Sequence, residues 1–282
     1  MKTVLVPTDF SAYATVGINV ASTIASKTDC PIVLHHNVIS MVNWEGISES
    51  ERLDHPHIYA KTVEAKRKLN DLISRDIDSD LQVNGVITHG ITYEEIVLKA
   101  RQLHADLIIM GSHGNEGPDR YFIGSNIQRV IREATCPVLA AKHEFQKKEI
   151  KKILFPFTFD EDVHKPFGEV KKFAAAMGAT IYLLYVNSLE KFKDTMKIEN
   201  EMNAFCERHP DQKFIKAVHS QSDPVAGIRE YYKEIEADMI AVITHDRQHT
   251  AKYLVGTTEL LVFHTDIPVL SVNSKPFEPV LL

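Results

Sequence analysis

The sequence predicts an α/β fold made of two tandem units, each with a parallel β-sheet covered by helices on both faces. Short apolar runs of strand length alternate along the chain with segments that have the apolar spacing of amphipathic helices. The same succession starts again shortly after residue 150, which indicates an internal duplication. The length of 282 residues also suits about two domains.

Elements of the first unit follow one another with little intervening chain. Apolar runs predict the strands, and the Lys-, Glu-, Leu- and Ala-rich stretch at 59–77 has the pattern of a long amphipathic helix. The predicted elements are a strand at Val4–Pro7, a helix at 14–25, a strand at 32–34 that runs on to Asn37, a loop at 39–50, a helix at 59–77, a strand at 81–88, a helix at 93–103 and a strand at 105–110.

A glycine-rich segment then joins a strand to a helix. The apolar run 105–110 leads into Gly111 and Gly114, and after nine more residues comes Gly124 with Ser125. Glycines allow a backbone to approach a ligand closely, and the unpaired amides at a helix N-terminus attract anions. The segment therefore suits a phosphate group. A plain turn with a serine near a helix N-cap is the alternative that the spacing leaves open.

The duplication is visible as repeated short motifs. Residues 152–156 repeat residues 3–7 at an offset of 149, whereas residues 237–240 repeat residues 105–108 at an offset of 132. Residues 267–270 repeat residues 136–139, which lead into the final strand predicted at 138–141, at an offset of 131. The fall from 149 to 132 places about 17 extra residues of the first unit between its second and third strands. Residues 143–152, with four lysines, are interpreted as a linker.

The complete spacing Gly-x2-Gly-x9-Gly-Ser, followed by a helix and the strand Cys-Pro-Val-Leu, resembles the ATP-binding signature of the universal stress protein family. Both units are similar to that family's fold, which implies two Rossmann-like, adenine nucleotide α-hydrolase-like domains, each with a five-stranded parallel sheet. The resemblance implies a domain at 1–145 with an intact nucleotide-binding motif and a domain at 151–282 with a degenerate one. Family members commonly pair through the last strand, so we expect an intrachain pseudo-dimer; a further homodimer is left open.

The same resemblance supplies candidate nucleotide-binding residues at three strand ends. In parallel α/β sheets, ligands bind beyond the carboxyl ends of the strands. Asp9 is expected to contact ribose or adenine, although it could also serve as a helix N-cap, and the contact at Asn37 is expected to be made by its backbone. His113 could instead be a solvated loop residue. The candidate residues are Pro7, Thr8, Asp9, Asn37, Met110, Gly111, His113, Gly114, Gly124, Ser125 and Asn126.

The second unit departs from the motif at the positions that matter for phosphate. An isoleucine restricts backbone φ where the first unit has glycine, and an aspartate puts negative charge where phosphate would lie. We therefore expect no family-type ATP binding there. The aligned pairs are Gly111 with Ile243, Gly114 with Asp246, Asp9 with Thr158, and Gly124-Ser125 with Gly256-Thr257.

Composition narrows the cellular setting. The N-terminus lacks the layout of a signal peptide, and three widely spaced cysteines fit a reducing cytosol, so a cytoplasmic location is expected. The formal net charge of −6 gives no reason to expect nucleic acid or membrane as a partner. The 14 histidines show no metal-ligand spacing completed by a carboxylate or cysteine, so no metal site is assigned.

The leading functional hypothesis is an ATP-binding stress-response protein, with ATP, optionally accompanied by Mg²⁺, as a regulatory or slowly hydrolysed ligand. The chain lacks the P-loop pattern Gly-x4-Gly-Lys-(Ser/Thr), which fits at most weak ATPase activity. Two alternatives remain open. One is an adenine-nucleotide-dependent enzyme, such as an adenylyltransferase or ATPase-like protein. The other is a stress-related interaction scaffold that no longer binds nucleotide.

Overall fold

The computed structural model describes residues 1–112, 125–142, 149–157, 163–190, 192–244 and 256–274. The first half contains β1 (Val4–Pro7), α1 (Ala12–Thr28), β2 (Ile32–Ile39), α2 (Glu49–Arg52), α3 (Pro56–Asp76), β3 (Val83–Gly90), α4 (Thr92–Gln102), β4 (Leu107–Ser112), α5 (Ser125–Glu133) and β5 (Val138–Lys142). The second half contains β6 (Lys152–Pro156), α6 (His164–Met177), β7 (Thr180–Asn187), α7 (Thr195–Glu207), β8 (Phe214–Ser220), α8 (Pro224–Glu234), β9 (Met239–Thr244), α9 (Thr257–His264) and β10 (Val269–Asn273).

The strands form one ten-stranded sheet in the order β3-β2-β1-β4-β5-β10-β9-β6-β7-β8. Neighbouring strands within each half are parallel, whereas β5 and β10 pair antiparallel with Leu139 opposite Leu270. The expected pairing of the two halves through their final strands is therefore confirmed, and so is the fold class. The predicted domain limits at 145 and 151 stay predictions, because residues 143–148 lie outside the described ranges.

The central strands are apolar on both sides because helices cover both faces of the sheet. On one face, Val4 and Val6 of β1 belong to a buried cluster with Ile18 of α1. On the other face, Leu5 belongs to a cluster with Ile96 of α4 and Val130 of α5. Successive side chains of a strand point to opposite faces, so the continuous apolar runs of the sequence fill both layers.

The first half is longer by about 17 residues, which lie in one connection and in one helix. The connection from β2 to α3 spans 16 residues (40–55), against seven (188–194) between β7 and α7. Helix α3 has 21 residues and α7 has 13. The connection is therefore nine residues longer and the helix eight residues longer. The segment 39–50 was expected to be a loop, but β2 runs on to Ile39 and α2 begins at Glu49.

Polar contacts join the halves beside the β5–β10 pair. The Lys142 ammonium donates to the carbonyl oxygen of Val262, and the Asn273 amide donates to the carbonyl oxygen of Arg132 at 2.8 Å. Arg132 also forms an ion pair at 2.8 Å with the buried carboxylate of Glu259. Each half thus sends a side chain from the end of its last strand to the last helix of the other half.

Candidate functional site

The ends of β1 and β4 form the point in the first half where the sheet connections diverge. Helix α1, which follows β1, packs on one face of the sheet through Ile18, whereas α5 packs on the other face through Ile127 and Val130. Strands β1 and β4 are direct neighbours. Connections that leave adjacent strands toward opposite faces open a crevice at the carboxyl edge, where ligands of open α/β sheets bind.

Gly111 lets α1 and β4 approach each other at this crevice. A Cβ atom on Gly111 would lie 1.8 Å from the carbonyl oxygen of Tyr13, and one on Gly17 would lie 3.0 Å from the amide nitrogen of Gly111. Real Cβ atoms do not come so close to backbone, so no larger residue fits at Gly111 without a shift of α1. The first glycine of the motif therefore has a packing role that needs no ligand, and Gly17 is its partner, which the sequence reasoning missed.

The turn after β1 presents Asp9 to solvent. The exposed Asp9 side chain accepts a hydrogen bond from the Ser11 amide at 3.0 Å, and Phe10 between them has a φ of 65°. The N-cap of α1 is Ser11, whose hydroxyl accepts from the Ala14 amide at 3.2 Å. Asp9 is thus part of an Asx turn, and the alternative interpretation of Asp9 as the helix N-cap is wrong.

Strand β2 holds this turn in place. The amide of Thr8 donates to the carbonyl oxygen of His35 at 2.8 Å, which extends the pairing beyond Pro7. Nδ1 of His36 lies 2.7 Å from the carbonyl oxygen of Thr8, and because a carbonyl only accepts, this nitrogen carries the proton. The His36 ring also lies against Phe10, with 4.5 Å between centroids. The sequence reasoning did not identify His36 as a contributor.

Asn37 uses its side chain inside the protein. Its amide nitrogen donates to the Gly90 carbonyl oxygen at 3.0 Å and to the Thr92 hydroxyl at 3.2 Å, while its amide oxygen accepts from the Thr88 hydroxyl at 3.1 Å. These bonds tie β2 to the turn between β3 and α4. A ligand contact at Asn37 would therefore be made by the backbone, as the sequence-based expectation has it.

The buried His35 is the last member of the hydrogen-bond network that includes Asn37 and Thr88. The Thr88 hydroxyl gives its proton to Asn37, so it must accept from Nε2 of His35, which lies 2.7 Å away. Burial, followed by the charges of Lys99 and His36, lowers the pKa of His35 from 6.5 to about 4. The ring is therefore neutral at physiological pH.

The remaining candidate residues lie on β4 and α5. Met110 is 8% exposed in β4, and Ser125 and Asn126 are the exposed first residues of α5. The first turn of α5 carries no acidic side chain, so none of its own residues opposes an anion at the positive end of the helix dipole. His113, Gly114 and Gly124 lie outside the described residues.

The equivalent edge of the second half is built differently. Helix α6 begins at His164, three positions later than α1 when the offset of 149 is applied, and Ile243 occupies the place of Gly111 as part of the apolar core. The first turn of α9 contains Glu259, which is 4% exposed. Thr158 and Asp246, the other two departures, lie in segments that the structure does not describe.

Within the described ranges, no three His, Cys, Asp or Glu side chains are arranged so that they could hold a metal ion. Among the helices of these ranges, none combines the length and the apolar character needed to cross a membrane.

The fold and the crevice define a tandem α/β protein whose Rossmann-like halves share one continuous sheet. The sequence model of the universal stress protein family matches residues 1–142 and again residues 149–273. The chain therefore belongs to the universal stress protein family.

Individual relatives agree with this assignment. Universal stress protein MJ0577 of Methanocaldococcus jannaschii is 31% identical over 155 residues, which cover 51% of this chain and 96% of the relative. Universal stress protein MJ0531 of the same organism is 30% identical over 149 residues, which cover 50% of this chain and 82% of the relative. The crystal structure of a universal stress protein from Archaeoglobus fulgidus matches 97% of this chain and 98% of its own, with a TM-score of 0.75 and 16% identity. That structure supports the tandem fold.

Proposed function

We propose that this chain binds one molecule of ATP, with or without Mg²⁺, at the carboxyl edge of its first half, and that the nucleotide is a regulatory ligand of a stress-response protein. The observation that carries the proposal is the divergence of the connections after the neighbouring strands β1 and β4 toward opposite faces of the sheet. It brings the Asp9 turn, Met110 and the start of α5 to one edge of the sheet. These elements carry candidate residues that the resemblance to the family indicated from the sequence.

Each element has a chemistry suited to one part of a nucleotide. The start of α5 offers backbone amides and the Ser125 hydroxyl to phosphate oxygens, and no acidic side chain of its first turn opposes them. The exposed Asp9 carboxylate suits ribose hydroxyls as an acceptor. The half-buried Pro7 offers apolar surface for a base, whereas Met110, 8% exposed, contributes little of it.

We propose a ligand role rather than rapid turnover because the sequence lacks the lysine of a P-loop, which clamps phosphate in fast phosphoryl-transfer enzymes. A nucleotide that is bound without rapid hydrolysis stabilises whichever conformation binds it better. The crevice lies next to the connection 40–55, which distinguishes the first half from the second.

Native mass spectrometry of the purified full chain, followed by titration with ATP, tests the proposal. We expect a mass increase of one adenine nucleotide per chain, either on purification or after ATP is added. Ser125→Ala should weaken binding by about ten- to a hundredfold, the worth of one hydrogen bond to a charged group. Thr257→Ala, the equivalent change in the second half, is the matched control and should leave binding unchanged. Absence of any bound nucleotide would overturn the proposal and favour an interaction scaffold.

A further inference from the structure

The longer connection of the first half, residues 40–55, folds around the single tryptophan of the chain. We call it the Trp44 segment. Trp44 is 4% exposed and packs in a small cluster with Val38, Ile58 and Ala65. Phe10, the neighbour of Asp9, packs against the same cluster. The Trp44 segment therefore supports one wall of the crevice proposed to bind nucleotide.

His89 attaches this segment to the body of the first half. Its ring lies beside the Trp44 ring, with 5.2 Å between centroids, and its side chain is 5% exposed. Nδ1 lies 3.0 Å from a carboxylate oxygen of Glu45 in the segment, and Nε2 lies 2.8 Å from the Thr62 hydroxyl of α3. One imidazole thus connects the Trp44 segment, β3 and α3.

The hydrogen-bond partners specify which protons the ring carries. The Thr62 hydroxyl donates its proton to the carbonyl oxygen of Ile58 at 2.8 Å, so it accepts from Nε2 of His89. An ionised carboxylate has no proton to donate, so Nδ1 also donates, to Glu45. The complete set of contacts therefore requires both ring protons, that is, the imidazolium form.

We propose that His89 is a pH-dependent switch that holds the Trp44 segment against β3 and α3 when protonated and loosens it when neutral. Loss of one ring proton removes the positive partner of Glu45. The neutral ring has one N–H, so it can donate to Glu45 or to Thr62 but not to both. The Nε2 contact then survives beside the Glu45 contact only if Thr62 turns its hydroxyl away from Ile58. Because Phe10 packs on the segment, the switch also regulates the crevice; that consequence rests on the proposed nucleotide binding.

Charged side chains face His89 from several elements. Glu45, the ion-pair partner of the ring, has a side chain that is 61% exposed, which makes the pair sensitive to salt. From α4, Glu95 lies close enough to feel Glu45, and burial, followed by that charge, raises the pKa of its carboxyl. From α2, the Arg52 guanidinium lies 5.3 Å from the centre of the Trp44 ring and opposes a second positive charge. The neighbouring residue on β2 is the apolar Val38, and α3 contributes the Thr62 hydroxyl.

Trp44 reports directly on the switch, because it is the only tryptophan in the chain. The full chain is titrated through the range in which histidines ordinarily ionise. The emission maximum and quenching by acrylamide are followed rather than intensity, since a contacting imidazolium itself quenches fluorescence. We expect Trp44 to become more accessible as pH rises. In His89→Gln, whose amide still reaches Thr62 but does not ionise, this transition should disappear.

Two further variants separate the ion pair from general effects. Glu45→Gln keeps an acceptor for Nδ1 but removes the charge, so it should reduce the transition. His57→Gln removes an exposed histidine of α3 and should leave the transition intact. An unchanged transition in His89→Gln, or constant accessibility of Trp44 throughout the titration of the unaltered chain, would overturn the switch.

The link to the crevice is tested with ATP under the same conditions. As pH rises, the affinity of the unaltered chain should fall about two- to fivefold, the effect of a partly exposed ion pair, while that of His89→Gln stays constant. Affinity that does not follow the Trp44 transition would overturn the link. If no nucleotide binds at any pH, the proposed function fails, whereas the Trp44 titration still decides whether the switch exists.

Discussion

At the amino edge of the sheet, Asp106 of the first half and Asp238 of the second half make the same contacts. Asp106 accepts from the amides of Lys2 and Thr3, and Asp238 accepts from the equivalent amides of Lys151 and Lys152. The residue two positions before each aspartate has a positive φ, 48° at His104 and 51° at Glu236. These turns join helix to strand in the same way in both halves.

At the carboxyl edge, the equivalent positions carry different residues. Gly111 corresponds to Ile243, His35 corresponds to Leu184, and only the first half has the Trp44 segment. The turns at the amino edge serve the folding of each unit, whereas ligands of such sheets bind at the carboxyl edge. The comparison teaches that the two units share their structural turns and differ at the carboxyl edge, as expected if only one of them binds nucleotide, as proposed above.

Leu139→Pro should have the largest effect, because it tests whether the halves are joined through their final strands. Leu139 is fully buried between β4 and β10, and proline removes a hydrogen bond of the sheet. We expect a loss of at least about 3 kcal/mol of unfolding free energy. Urea unfolding should then show Trp44 fluorescence and circular dichroism separating into two transitions. Val218→Pro, at a 45% exposed position of the edge strand β8, should cost less. Coincident, unshifted transitions in Leu139→Pro would contradict the account.

Gly111→Ala tests the difference between Gly111 and Ile243. The new methyl group would overlap the Tyr13 carbonyl, so we expect a cost at the upper end of roughly 1 to 3 kcal/mol. A shift of α1 should also displace the Asp9 turn and weaken nucleotide binding. Gly168→Ala in α6 is the control, because in the described part of the chain no atom beyond its own helix backbone and its two chain neighbours lies within 4 Å of the added Cβ, and it should stabilise the helix slightly. Equal stabilities of the two variants would argue against close packing at Gly111.

His35→Leu copies the second half's residue into the first. The native ring has a pKa of about 4 against an ordinary 6.5, so the unfolded chain binds more protons between these values. Stability associated with His35 is therefore complete above pH 6.5 and falls as pH drops toward 4. Between about pH 8 and about pH 5, the unaltered chain should lose about 2 kcal/mol of unfolding free energy through His35. Urea unfolding at the two pH values should show that the leucine variant lacks this loss. The same pH dependence in both proteins would exclude His35 as the cause.

Gly114→Asp makes the corresponding exchange in the glycine motif itself, at a position outside the described residues. A carboxylate beside phosphate should lower ATP affinity by about tenfold, or about 1.4 kcal/mol, while the fold persists. Calorimetric titration and a thermal melt measure the two quantities. An unaltered affinity would mean that the phosphates lie elsewhere.

The repeat in the sequence predicted two α/β units that each end in an apolar strand. The resemblance to the universal stress protein family, whose members commonly pair through the last strand, predicted the β5–β10 pairing that the structure confirms. The strand predicted to run on to Asn37 falls two residues short of the end of β2 at Ile39. The polar His35, His36 and Asn37 belong to the strand because their side chains are hydrogen-bonded inside the protein.

Sequence reasoning also could not separate the two roles of Gly111. The contact that excludes a side chain there is made with the backbone of Tyr13. Because every residue has the same backbone, the sequence gives no sign of this contact. A glycine inside a helix pattern, such as Gly17, was the available signal. The Trp44 segment looked like a polar loop because its partners, Ile58 and Ala65, belong to the following helix. The assignments of His113, Gly114 and Gly124 stay predictions.

The number of nucleotide sites per chain tests the central claim most directly, because the two halves differ at the edge where ligands bind. Isothermal titration calorimetry of the full chain with ATP, after removal of any nucleotide that co-purifies, gives that number. The account predicts one site, which Ser125→Ala weakens and Thr257→Ala does not. Two equivalent sites, or none, would contradict it.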